Sequence, residues 1–135
     1  MDLSLANCFI TVHDPEAALA FYRDALGLDV RKDFSSDGIR WVTLSPPAQP
    51  DLEIVLLEPG AGRPADADTI LALVTKGSLS GANFRTDDLD GTFEKVRAAG
   101  AEVLQEPMDQ FWGVRDCAFR DPSGNMVRIS QAPKS

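Results

Sequence analysis

The chain holds one histidine, His13, and two cysteines, Cys8 and Cys117, so its stock of imidazole and thiol chemistry is small. One histidine excludes a His-rich metal site. The cysteines lie far apart in strand-like runs and match no paired-cysteine metal spacing, so they read as small buried hydrophobes. His13 stands at a strand end, directly before a helix-capping aspartate, and reads as a surface loop residue rather than a general base. No serine or cysteine sits in a nucleophile elbow or triad context. No glycine-rich phosphate loop follows a strand, so a nucleotide site has no support.

Apolar spacing and turn residues define the elements around these groups. A strand is predicted over Ala6–Val12, followed by Asp14-Pro15-Glu16, a helix start with an N-cap acid, proline at the first position and an acid in the first turn. Ala18, Leu19, Tyr22 and Leu26 share one helical face, and Gly27 stops the helix. Strands are expected at Leu28–Phe34, Ile39–Leu44 and Leu52–Leu57. A linker over 59–77 holds a short helix capped by Asp66, with Ile70, Leu73 and Val74 as its apolar residues. The first pattern then returns, with a strand at Ser80–Thr86, a helix opened by Asp87-Asp88 and ended by Gly100, and strands at Ala101–Gln105, Gly113–Arg120 and Met126–Gln131. Asp14 and Asp88 are 74 residues apart (88 − 14), and Gly27 and Gly100 are 73 apart (100 − 27). Matching order and punctuation imply a duplicated β-α-β-β-β unit: an α+β chain forming a single domain over 1–135, with modules 1–58 and 78–135.

Composition bounds the partners. With 13 Lys and Arg against 21 Asp and Glu, the net charge of -8 opposes nucleic-acid phosphates and anionic lipid. No segment is apolar enough to span a membrane, and Met1–Ala6 lacks the basic start of a secretory signal, so a cytoplasmic location is expected.

The duplicated unit carries FYRDALG at Phe21–Gly27, FRDPSGN at Phe119–Asn125 and Trp112-Gly113-Val114-Arg115. In combination these resemble the vicinal oxygen chelate superfamily, which includes glyoxalase I, extradiol dioxygenases, fosfomycin-resistance enzymes and bleomycin-binding proteins. The resemblance implies two curled four-stranded mixed sheets around a shared pocket, and half-barrel modules that meet in a homodimer. Strand alternation then sorts the side chains. Asn7, Phe9, Trp41, Glu53, Asn83 and Arg128 turn toward the pocket, with Phe111 and Trp112 at its mouth. The aromatic rings offer flat walls for a planar ligand.

Metal-binding relatives place one ligand on each of four strands, and the corresponding positions here are Asn7, Glu53, Gly81 and Arg128. One carboxylate, a neutral amide, a glycine and a permanent cation make a poor set for a divalent ion. Neither metal nor other cofactor is therefore expected, and Glu53 and Arg128 are placed to pair across the pocket instead. The resulting expectation is metal-free binding of an aromatic or antibiotic-like small molecule. An enzyme (a lyase, isomerase or dioxygenase) with a relocated metal or none is the alternative.

Overall fold

In the computed structural model, which describes residues 1–133, alternation shapes the first strand, β1 (Asn7–Thr11). Ile10 and the following Val12 are buried, while Asn7 and Phe9 are exposed. Asp14 then caps α1 (Pro15–Leu19), its carboxylate accepting the Glu16 N–H at 3.0 Å. The sequence predicts one α-helix continuing to Gly27. The backbone instead widens into a π-helix over Ala20–Ala25, where the Leu26 N–H donates to the Phe21 carbonyl at 2.9 Å. Packing accounts for the difference. Consecutive Phe21 and Tyr22 both enter the core, their rings T-shaped at 4.8 Å, and the wider turn keeps two successive large side chains on one side. Gly27 closes the helix at φ +77°, a conformation that costs glycine little.

Strands β2 (Asp29–Ser36), β3 (Ile39–Ser45) and β4 (Glu53–Leu57) complete the first sheet, in the order β1-β4-β3-β2. After α2 (Ala67–Thr75), whose Val74 is buried, the pattern repeats as β5 (Ser80–Thr86), α3 (Leu89–Ala98), β6 (Glu102–Asp109), β7 (Arg115–Arg120) and β8 (Met126–Gln131). The second sheet runs β5-β8-β7-β6. The pairs β1–β4 and β5–β8 are parallel and the remaining pairs antiparallel, so both sheets are mixed and unclosed. β6 extends four residues past the expected Gln105, with Pro107 tolerated because this is an edge strand.

α1 with its π-helical extension, and α3, pack their buried residues against the sheets. Leu44, Leu56, Tyr22, Leu89 and Phe119 belong to a single core cluster spanning both halves of the chain. Burying each such side chain contributes about 1.5–3 kcal/mol. The turn Asp121–Asn125 clasps the halves together. Asp121 Oδ1 accepts the N–H groups of Ser123, Gly124 and Asn125, each at 2.9 Å. Its Oδ2 accepts the Tyr22 hydroxyl at 2.6 Å and the Asn125 amide at 2.9 Å. Asn125 Nδ2 also donates to the Thr11 carbonyl at 2.8 Å, and the His13 N–H to Ser123 Oγ at 2.9 Å. Gly124 sits at φ +119°, where a Cβ would run into the Val74 carbonyl oxygen. The FRDPSGN run is thus a structural joint. No helix is long and apolar enough to cross a membrane, among the described residues.

Candidate ligand-binding faces

Because Ile10, Val42, Leu44, Ile54 and Leu56 point into the core, residues of the opposite parity occupy the open face of the first sheet. The register sets Asn7 beside Glu53, Phe9 beside Val55, Val55 beside Thr43, and Trp41 beside Phe34. Four of the expected pocket residues, Asn7, Phe9, Trp41 and Glu53, therefore share one surface. The Trp41 and Phe34 rings lie nearly parallel, 11° apart with centroids 6.5 Å apart, forming a flat apolar wall. Phe9 is 60% exposed and Phe34 50% exposed.

The second sheet carries the other group. Asn83 is the strand neighbour of Arg128, and Ala118 flanks Arg128 on the other side. The expected Glu53–Arg128 pair does not form within the chain, because each charge finds a nearer partner on its own sheet. Glu53 Oε2 lies 3.5 Å from Lys32 Nζ, and Arg128 Nη1 lies 3.2 Å from Asp116 Oδ2. Asp116 is only 2% exposed and sits at the centre of a polar cluster. Gln105 Nε2 and Gln110 Nε2 each donate to its Oδ1 at 2.8 Å, and Arg128 Nη1 also donates to Gln105 Oε1 at 3.1 Å. Burial alone would raise the Asp116 carboxyl. Hydrogen bonds from Gln110 and Gln105, together with the Arg128 charge, outweigh burial and hold it below the usual carboxylate range.

Gln110 also begins the loop that carries the remaining two expected residues. Its backbone N–H donates to the Val114 carbonyl at 2.7 Å, and Gly113 turns the chain at φ +93°. The tight turn presents Phe111 and Trp112 to solvent, 96% and 57% exposed, with rings T-shaped at 4.8 Å. Through Gln110 this aromatic loop is anchored to the same carboxylate that holds Arg128.

Asp116, Gln105, Gln110 and Phe34 were not singled out from the sequence. Parity on β7 was available for Asp116: Cys117 and Phe119 pack into the core, so Asp116 faces the same way as Ala118. Gln105 and Phe34 lie beyond register shifts in β6 and β2, where simple alternation fails. Cys8 and Cys117 are free thiols, half-buried and buried, and His13 is exposed. Burial pushes the Cys117 thiol up to about 11, which makes it inert as a nucleophile.

The four strand positions at which relatives carry a metal do not fit a divalent ion here. Glu53 is the lone carboxylate and is paired with Lys32, while Arg128 brings a cation. Gly81 has no room for a ligating side chain, since a Cβ there would lie 2.7 Å from the Met126 carbonyl oxygen. Among the described residues, no group of three or more His, Cys, Asp or Glu side chains could hold a metal.

Two unclosed mixed sheets, each built from a β-α-β-β-β run and joined through one core, define a paired-module protein of the glyoxalase type. The chain belongs to the Glyoxalase/Bleomycin resistance protein/Dioxygenase superfamily, whose model matches residues 4–129. It is similar to the uncharacterized protein YurT of Bacillus subtilis, 30% identical over 122 residues that cover 90% of this chain and 94% of that one. Among solved structures, UcmS2 superposes with a TM-score of 0.87 at 30% identity, covering 98% of this chain and all (100%) of that one. TnmS3, an antibiotic binding protein from Streptomyces sp. CB03234, superposes with a TM-score of 0.76 at 28% identity, covering 98% and 99%.

Proposed function

We propose that this protein binds an uncharged or weakly charged aromatic, antibiotic-like small molecule without a metal, and does so as a homodimer. The observation that carries the reading is aromatic exposure at both candidate faces. The Phe34–Trp41 stack lies on one sheet and the Phe111–Trp112 pair stands beside the other. Solvated aromatic rings grouped on one surface mark binding sites more often than scattered exposed residues do. The similarity to an antibiotic binding protein across nearly the full chain supports the same class of ligand. The two aromatic walls lie on different sheets, and a second copy packing its second sheet over the first sheet of its partner would bring them together. Such packing would also cover Phe9 and Phe34, whose exposure is costly in a monomer. Both tryptophans of the chain, Trp41 and Trp112, belong to these walls, so intrinsic fluorescence reports on them directly. A panel of polycyclic aromatic compounds is expected to shift or quench tryptophan emission saturably. Trp41→Ala is expected to weaken the best binder by several-fold to tenfold, because stacking contributes roughly 0.5–1.5 kcal/mol beyond area burial. Unchanged emission across the panel, or an affinity indifferent to Trp41→Ala, would refute the proposal.

A further inference from the structure

Beside Arg128 lies a cavity of about 260 Å³ bordered by Leu79, Gly81, Asn83 and Met126. Two independent features shape it. The strand β5 slips register between Ser80 and Asn83, spending three residues where β8 spends two, so the backbone bulges at Gly81–Ala82. Bulges of this kind re-aim side chains and free backbone groups from the ladder. Arg128, meanwhile, uses only one corner of its guanidinium. Nη1 serves Asp116 and Gln105, Nη2 meets only the Met126 sulfur at 3.8 Å, and Nε has no oxygen partner among the described residues. Asp116 balances its charge. What the cavity sees is a set of N–H donors with little net charge, in a chain of net charge -8. Because Asp116 cancels much of the arginine charge, the attraction left for a carboxylate is too small to offset the cost of stripping its water, so these donors suit a neutral oxygen acceptor better.

Resting on the aromatic-ligand reading above, we infer that Arg128 and Asn83 form a subsite for a carbonyl, amide or similar neutral acceptor oxygen carried by the ligand, with Asp116 excluding acids from it. The Phe111–Trp112 loop, tethered through Gln110 to the Asp116 carboxylate that holds Arg128, takes the ring that bears this oxygen. Titrating the full-length protein with 2-naphthamide, 2-naphthoate and naphthalene, followed by tryptophan emission, tests this. The wild type is expected to bind the amide about tenfold more tightly than the carboxylate. Asp116→Asn is expected to tighten the carboxylate about tenfold, on the scale of one uncompensated neighbouring charge. Arg128→Met is expected to lower the amide to the affinity of naphthalene. Asn83→Leu alters an exposed side chain, and should weaken the amide several-fold while sparing naphthalene. It decides the matter if Asp116→Asn fails to fold. If all three probes bind alike and the variants leave their ratios unchanged, the subsite is refuted while aromatic binding stands. If none of the three perturbs tryptophan emission, the subsite is refuted, and the aromatic reading falls with it when the wider panel of polycyclic compounds is silent too.

Discussion

Replacing Asp121 by alanine removes the centre of the clasp between the two halves of the chain. This carboxylate is 3% exposed and accepts five hydrogen bonds: three from the N–H groups of its own turn, one from Tyr22 and one from Asn125. Bonds to a charged acceptor contribute about 1.5–3 kcal/mol each, and buried donors left without a partner add their desolvation cost. The five share one group and are not additive, so the expected loss is about 4 kcal/mol rather than their sum. For a chain of 135 residues that corresponds to a drop of roughly 10–15 °C in Tm. Tyr22→Phe deletes a single one of the five and is expected to cost about 1.5–2 kcal/mol. Adding Tyr22→Phe to the Asp121→Ala chain should cost much less than it does alone, because its partner has already gone. Thermal and urea unfolding followed by circular dichroism measures both. A fall of less than about 3 °C for Asp121→Ala would refute the clasp, as would full additivity of the two changes.

The depressed Asp116 carboxyl links stability to acid. A carboxylate with a lower pKa folded than unfolded contributes stability above the unfolded value, about 3.9, and loses it as pH falls through the folded value. Wild type is therefore expected to exceed Asp116→Asn in stability at pH 6 by a margin that shrinks below about pH 4; urea midpoints across that range check this. Gly124→Ala is expected to destabilise by about 2 kcal/mol or more, since the position combines φ +119° with a collision against the Val74 carbonyl; thermal unfolding reports it. Light scattering at micromolar concentration is expected to give a mass near twice the 14.6 kDa chain, and a value of one chain would contradict the dimer.

Much of the architecture was legible because local signals repeat. Asp14 and Asp88 each cap a helix, and Gly27 and Gly100 each follow one at positive φ, so the repeated order of elements could be seen without any pairing information. Alternation on β1, β3, β4 and β8 then sorted core from open face, since no register shift interrupts the pairing of β1 with β4 or of β7 with β8. Three features had no local signature. The π-helix at Ala20–Ala25 arises from two neighbouring aromatic residues competing for one core, which helical periodicity does not encode. The shifts in β2, β5 and β6 depend on partner strands. The choice of Lys32 for Glu53, and of Asp116 for Arg128, follows from distances across strands that spacing along the chain leaves open.

Native mass spectrometry of freshly purified protein tests the central claim most directly, because it weighs chain, ligand and metal together. The expected spectrum shows a dimer carrying an organic molecule of a few hundred daltons, released by mild activation and absorbing as an aromatic compound. Mass and elemental analysis showing one transition metal per chain, lost on Glu53→Gln, would contradict the account.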